Sequence, residues 1–263
     1  MKIVVTGSHG FIGGHVVKAL LAQGHVVVMA DKKVGVDMAD LATARKVITD
    51  STDAIIHLAS TCSTPGSVLD PAGTFRDTVV TAANVLDAAR SHRIPVLLTS
   101  SVKARDGKTP YGAAKRMVEL WAREHSDAYE FPVVINRPGT VYGPGQEGST
   151  ESGWVAWFLK AKREGLQVVI NGDGKQVRDL LHVDDYVALL MKQLKDPRTW
   201  GTRIWDVGGG PRNAVTVLEL AQHLGLDHVH GPDRYGDVRE YVGHNATPSW
   251  QPQVYWKETG MFR

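Results

Sequence analysis

The sequence predicts an α/β protein built on a doubly wound parallel sheet with helices on both faces. Three observations carry that expectation. Short β-branched runs, beginning with Ile3 to Val5, alternate with stretches whose apolar residues recur at helical spacing. The first run passes straight into a helix through Gly7, Gly10 and Gly13. At 263 residues the chain can bury a large core, as one α/β domain or as one domain with a small appendage.

The opening stretch, Met1 to Leu20, organises the rest. After the glycines, Val16, Val17, Leu20 and Leu21 take up helical spacing. A strand that turns into a helix through glycines gathers backbone N–H groups at a helix N-terminus, where their orphan donors and the dipole favour an anion such as a pyrophosphate. Gly7 serves the tight turn, Gly10 the close approach of phosphates and Gly13 the packing of helix on strand. The spacing is G-x-x-G-x-x-G, and the plainer alternative is a glycine-rich turn with no ligand.

Val26 to Ala30 reads as a second buried strand ending in Asp31. An acidic residue at that tip accepts hydrogen bonds from an adenosine ribose and favours NAD; Lys32 and Lys33, directly after it, favour NADP instead. The segment from Val34 to Asp40 is short and reads as a third strand arriving with almost no intervening helix. Asp37 there is either an adenine contact or the N-cap of a helix over Leu41 to Thr49. Asp53 to Ala59 is the next strand, its small residues leaving room for a dinucleotide. A polar loop around Cys62 comes next, and Cys62 reads as an ordinary loop residue rather than a reactive thiol. A helix from about Thr74 to Ser91 turns Val79, Val80, Ala83, Leu86 and Ala89 to the core, and Val96 to Thr99 is a strand running into Ser100 and Ser101.

Tyr111 and Lys115 stand one turn apart on the next helix. A phenol with a free pKa of ~10 is a poor base, and a neighbouring ammonium stabilises its phenolate, so the pair can take a proton from a hydroxyl that Ser101 also binds. A surface tyrosine and an exposed lysine would show the same spacing.

Thirty basic residues against 28 acidic leave a net charge of +2, which argues for no nucleic-acid or membrane partner. The single cysteine excludes an internal disulfide and fits a reducing compartment. The sequence shows no basic, apolar leader and no apolar run of about 18 residues, so a soluble cytoplasmic protein is expected, with no room for a leader before the first strand.

Thr6 to Gly13, His57-Leu-Ala59, Ser101 and Tyr111-Gly-Ala-Ala-Lys115 resemble the extended short-chain dehydrogenase/reductases, the NAD-dependent sugar-nucleotide epimerase/dehydratase group. The likeness continues through Asn136 to Pro144, Gly172 to Asp185, Asp206 to Gly210, Arg234 to Val238 and Trp250 to Pro252, and so covers essentially the whole chain. More narrowly, Gly145-Gln146, Ser152 to Phe158 and Gly174 to Asp179 are similar to CDP-tyvelose 2-epimerases.

The resemblance implies a Rossmann-type domain over 1–145 and a mainly substrate-binding C-terminal lobe over 146–263, with some elements returning to the first sheet. It implies that Gly7, Gly10, Phe11, Ile12, Gly13, Asp31, Asp37, Leu58, Ala59, Ser60, Thr99, Tyr111, Lys115 and Pro138 bind the cofactor. Ser101, Tyr111 and Lys115 would be catalytic, with Ser101, Thr140, Arg178 and Arg234 on a nucleotide-diphosphate sugar; the arginine forks suit its phosphates. No metal is implied. His182, Asp184 and Asp185 read as structural, Asp184 as a helix N-cap, and Trp154, Trp157 and Phe158 as a helix packed into the core. The chain departs from the family in the short stretch between Ser101 and Tyr111, in Thr78 and Thr140 where asparagine is usual, and in the abbreviated region after Asp31. An epimerase working through a transient keto-sugar is the expected activity. An NADPH-dependent keto-sugar reductase, a dehydratase and a non-catalytic dinucleotide sensor are the alternatives. A homodimer is expected by resemblance, through the Tyr111 helix and its Val118, Leu120 and Trp121.

Overall fold

The computed structural model describes residues 1–243 and 250–262. The chain divides into two compact units, residues 1–137 with 187–205, and residues 138–186 with 206–263.

The first unit is ordered around β1 (Lys2–Thr6), α1 (Phe11–Ala22), β2 (Val26–Ala30), α2 (Leu41–Val47), β3 (Ala54–His57), α3 (Thr64–Leu69), α4 (Pro71–Phe75), α5 (Thr81–Arg90), β4 (Val96–Thr99), α6 (Pro110–Tyr129) and β5 (Val133–Pro138). Its sheet runs β2-β1-β3-β4-β5, with β9 (Ile204–Val207) beyond β5. The pairings of β1 with β2 and β3, of β3 with β4 and of β4 with β5 are all parallel. That order, with β1 between β2 and β3 and helical connections between strands, is the doubly wound arrangement. Ile3, Val4, Val5, Ile55, Ile56, Leu97, Leu98, Val133 and Ile135 have no exposed surface, as expected of strands covered on both faces.

Three expectations are corrected. β2 is the sheet edge, and Val26 and Met29 stand exposed on it. An unbroken apolar run does not report whether a second strand lies beyond it. No strand forms between Val34 and Asp40; Lys32–Val34 make a single 3-10 turn capped by Asp31. The N-cap of α2 is Asp40, whose carboxylate accepts from the Thr43 N–H at 3.0 Å, while Asp37 closes a tight turn onto the Ala39 N–H at 2.9 Å.

The predicted Thr74 to Ser91 helix starts earlier, at Pro71, and contains a π turn over Arg76–Val80 before α5. The wider turn rotates α5, so the buried face is Ala82, Val85, Leu86, Ala88 and Ala89, with Val79 half-buried against it. Thr78 lies on the π turn, buried, its hydroxyl 3.1 Å from that of Thr61.

The second unit holds β6 (Thr140–Tyr142), α7 (Trp154–Glu164), β7 (Val168–Asn171) and β8 (Val177–His182). α8 (Val183–Lys195) leads the chain back to the first unit, where α9 (Pro197–Trp200) precedes β9. Then come β10 (Ala214–Thr216), α10 (Val217–His223), β11 (His228–Gly231) and β12 (Glu240–Tyr241). β8 pairs with β6, β10 and β12, and β7 with β11. Tyr142, Phe158, Ile170, Leu180, Leu220, Trp256 and Phe262 form its core, with Trp154 and Trp157 half-buried against it, so the α7 aromatics pack as expected. α10 opens with a capping box of Thr216 and Glu219. Asp184 lies inside the first turn of α8 rather than at its cap, because the helix already begins at Val183. Asp185 accepts from the N–H groups of Gln253 and Val254 at 3.0 and 2.9 Å and ties down the C-terminal tail.

His57 ends β3 fully within the sheet, its Nδ1 2.7 Å from the Thr6 hydroxyl. Burial, then the nearby Lys115, push its pKa from 6.5 to about 3. The unfolded chain therefore binds the extra proton between those values, so this stabilisation is complete above pH 6.5 and is lost as pH falls toward 3. Stability should fall by up to about 1.4 kcal/mol per pH unit from this group, and His57→Asn should flatten the slope in urea unfolding measured from about pH 6.5 to 5. An unchanged slope would contradict the assignment.

Candidate active site

Gly7 adopts φ +67°, and a Cβ there would stand 2.8 Å from the Ala59 nitrogen. At Gly13 a Cβ would lie 2.0 Å from the Gly7 carbonyl oxygen, so a side chain at either position breaks the crossing of β1 into α1. Gly10 caps α1 without any side-chain hydrogen bond, and no acidic residue lies in the first turn beside Phe11 and Ile12. The N-terminal N–H groups of that turn thus present positive potential with no side-chain acceptor built in.

Asp31 stands at the end of β2, its carboxylate accepting from the N–H groups of His9 at 3.0 Å and Lys33 at 2.9 Å. This holds the acid beside the glycine turn. Lys32 is engaged by Asp77 and Asp37, and the Lys33 ammonium donates to the His9 carbonyl at 3.3 Å. Asp37 is bound by Arg76 at 2.6 Å. Burial works to raise its carboxyl pKa, but the Arg76 hydrogen bond, the Ala39 N–H and the charges of Lys32 and Arg76 leave it lowered. Leu58 and Ala59 donate their N–H groups to the Thr6 hydroxyl at 3.2 Å, which keeps the end of β3 and half-buried Ser60 close to Gly7.

The end of β4 brings Thr99, Ser100 and Ser101 against α6. Thr109 caps that helix by accepting from the Gly112 N–H at 3.2 Å, and Pro110 occupies its first turn. The short connection from Ser101 fits because Val102–Ala104 form one 3-10 turn, capped by Ser101, which accepts from the Lys103 N–H at 3.2 Å. Ser67 of α3 accepts from the Tyr111 N–H at 3.1 Å, and the Tyr111 phenol hydrogen-bonds the Ser101 side chain. Lys115, only 4 % exposed, donates to the Thr99 carbonyl at 2.9 Å.

Burial lowers the Lys115 ammonium to about 8, against the raising effects of Cys62 and Glu119. Burial likewise raises the Tyr111 phenol to about 12, Ser101 acting against it and Cys62 with it. The lowered phenol expected from a neighbouring lysine is therefore absent in this state: the ammonium is directed to the Thr99 carbonyl. Cys62, exposed on the loop after β3, lies within electrostatic reach of both groups. Sequence reasoning missed that placement because no pattern near Cys62 records which strand end it meets. It also missed Glu119, although the i, i+4, i+8 positions of Tyr111, Lys115 and Glu119 on one helix were a usable signal.

Pro138, Thr140, Arg178 and Arg234 belong to the second unit. Pro138 is buried at the end of β5, and Thr140 is half-buried in register with Leu180 of β8. Arg178 is buried, with Nη2 donating to Asp237 at 2.5 Å and to the Val238 carbonyl at 2.9 Å, and its guanidinium 5.9 Å from the Tyr241 ring centre. Arg234 is exposed and donates to the Thr150 carbonyl at 3.2 Å. His182 packs edge-on to Tyr142, and no cluster of metal-ligating side chains occurs among the described residues. Leu120 and Trp121 of α6 are half-exposed together with Met117; Val118 is core, because it lies on the opposite face of the helix.

The chain is 29 % identical to a UDP-glucose 4-epimerase of Mycolicibacterium smegmatis, over 97 % of this chain and 94 % of that protein. It is also 29 % identical to a dTDP-glucose 4,6-dehydratase of Streptomyces griseus, over 91 % and 84 % of the two. The crystal structure of the Thermus thermophilus UDP-glucose 4-epimerase in complex with NAD matches with a TM-score of 0.88 at 26 % identity, covering 100 % of this chain and 97 % of that one. The family model described as the NAD dependent epimerase/dehydratase family matches residues 3–208, and the chain belongs to that family.

Proposed function

We propose that the chain is an NAD-dependent nucleotide-sugar epimerase acting through a transient keto-sugar. The observation that carries the reading is the convergence, at the carboxyl edge of one sheet, of a side-chain-free helix N-terminus, an acid at the tip of β2, and Ser101, Tyr111 and Lys115 at the end of β4. The cradle suits a dinucleotide, since Gly10 caps α1 with no side chain of its own and the first turn of α1 carries no acid. Gly7, Gly10, Phe11, Ile12 and Gly13 would hold the pyrophosphate, Asp31 the adenosine ribose, Asp37 the adenine side, and Leu58, Ala59, Ser60, Thr99 and Pro138 the remainder. NAD, when bound there, supplies a reversible hydride acceptor. Asp31 and the engagement of Lys32 by Asp77 favour it over NADP.

Ser101 orients the reacting hydroxyl and Tyr111 accepts its proton at the phenol oxygen. Lys115 provides the positive charge that draws Tyr111 toward phenolate during turnover. Thr140, Arg178 and Arg234 are assigned to the substrate, the two arginines to its diphosphate. A dehydratase needs an acid to expel water as the leaving group. Directly after Ser101 stand buried Val102 and the lysine Lys103, which offer no carboxyl group for that role.

Tyr111→Phe should cut turnover of a UDP- or CDP-hexose by about 10²-fold or more while leaving NAD affinity within about threefold. A variant that loses neither would favour the sensor. Asp31→Ala should weaken NAD binding measured by calorimetry about tenfold or more and bring NADPH to comparable affinity. We also infer a homodimer through α6, whose Met117, Leu120 and Trp121 are 48, 56 and 49 % exposed. Trp121→Glu should convert a dimer to a monomer in analytical ultracentrifugation, and a wild-type monomer would overturn it.

A further inference from the structure

We propose that Glu119 is a positioning residue of this site: its buried carboxylate fastens the strand end that carries Ser101 to the helix that carries Tyr111 and Lys115. The inference rests on the reading of those three residues as the reacting set. Glu119 is 2 % exposed and lies one turn beyond Lys115 on α6. Its Oε1 accepts from the Ser100 hydroxyl at 2.5 Å and from Arg137 Nε at 2.7 Å, and its Oε2 accepts from Arg137 Nη2 at 2.5 Å. One carboxylate thus joins α6 to adjacent ends of β4 and β5. Ser100 is held from the strand side as well, its N–H donating to the Asn136 carbonyl at 2.7 Å.

A fork-on-carboxylate pair with a third hydrogen bond is stiff, because each partner fixes the direction of the others. Ser100 immediately precedes Ser101, so a slack Ser100 turns Ser101 away from the Tyr111 phenol. Glu119 has a second effect, through charge. Lys115 meets the Thr99 carbonyl from β4, and the charged groups that act on it are Glu119 of its own helix, His57 of β3 and Cys62 of the loop after β3. His57 opposes the ammonium, while Cys62 and Glu119 support it. Glu119 is therefore a buried carboxylate that supports the Lys115 ammonium.

The test uses the full chain, and its titration arm needs no knowledge of the sugar. Lys115 is titrated by ¹³C NMR of labelled lysine side chains, its signal identified by its loss in Lys115→Met, in wild type, Glu119→Gln and Glu119→Gln/Arg137→Met. Glu119→Gln should lower the Lys115 titration midpoint by about half a pH unit or more. It should also cut kcat about tenfold or more with KM within about threefold. The double variant removes both charges, so it should fold as wild type does and remain impaired in both readouts. Recovery of wild-type kcat and titration in the double variant would overturn the proposal, since Glu119 would then serve only to neutralise Arg137. Ser100→Ala leaves no buried charge behind, and should lower kcat with the Lys115 titration unmoved; full activity there would overturn the link to Ser101. A shifted Lys115 titration in Glu119→Gln, in a wild type that turns over no nucleotide sugar, would sustain the coupling and remove the epimerase reading instead.

Discussion

A buried ammonium is the constraint on which the site depends. Lys115 lies almost wholly out of water, and an unpaired charge in that position costs several kcal/mol. The cost is offset only if Nζ reaches the Thr99 carbonyl and an anion stands near, and both conditions tie α6 to the end of β4. With α6 fixed there, its first turn carries Tyr111 to Ser101, and Ser67 of α3 holds the Tyr111 backbone from the other side. The parallel pairing of β4 with β3, and of β3 with β1, then brings this set to the same edge as the glycine turn. One cation thus couples the packing of a helix to the geometry of the chemistry.

The parts of the site that could be read from sequence are those whose cause is local. Gly7, Gly10 and Gly13 are demanded by a single crossing of strand and helix. Asp31 ends its strand whatever surrounds it, and Tyr111 and Lys115 are one turn apart in any helix. The features that escaped depend on neighbours far away in the chain. β2 looks buried because its residues are apolar, yet it forms the edge of its sheet and Val26 meets solvent. Asp37 and Asp40 both suit a cap by residue type, and the chain path selects Asp40. The π turn at Arg76–Val80 has no signature in the periodicity, and it shifts the core face of α5. The neighbouring lysine predicts an acidified Tyr111 phenol, whereas burial raises it and the ammonium points elsewhere.

Two short connections flank the residues assigned to the site. After Asp31 the chain makes one 3-10 turn, and Asp31 accepts from the N–H groups of His9 and Lys33. Between Ser101 and Tyr111 the connection is one 3-10 turn and a threonine cap, short enough that Ser101 is itself a capping residue. The second unit keeps its own core and its own polar ties, with Arg178 bound to Asp237 and Asp185 bound to the tail.

The most direct measurement is mass spectrometry of the nucleotide released when freshly purified protein is denatured. An epimerase must keep its cofactor through the whole cycle, so the account predicts NAD at close to one equivalent per chain. A protein that emerges empty and then binds NADPH better than NAD would contradict it and would identify a reductase.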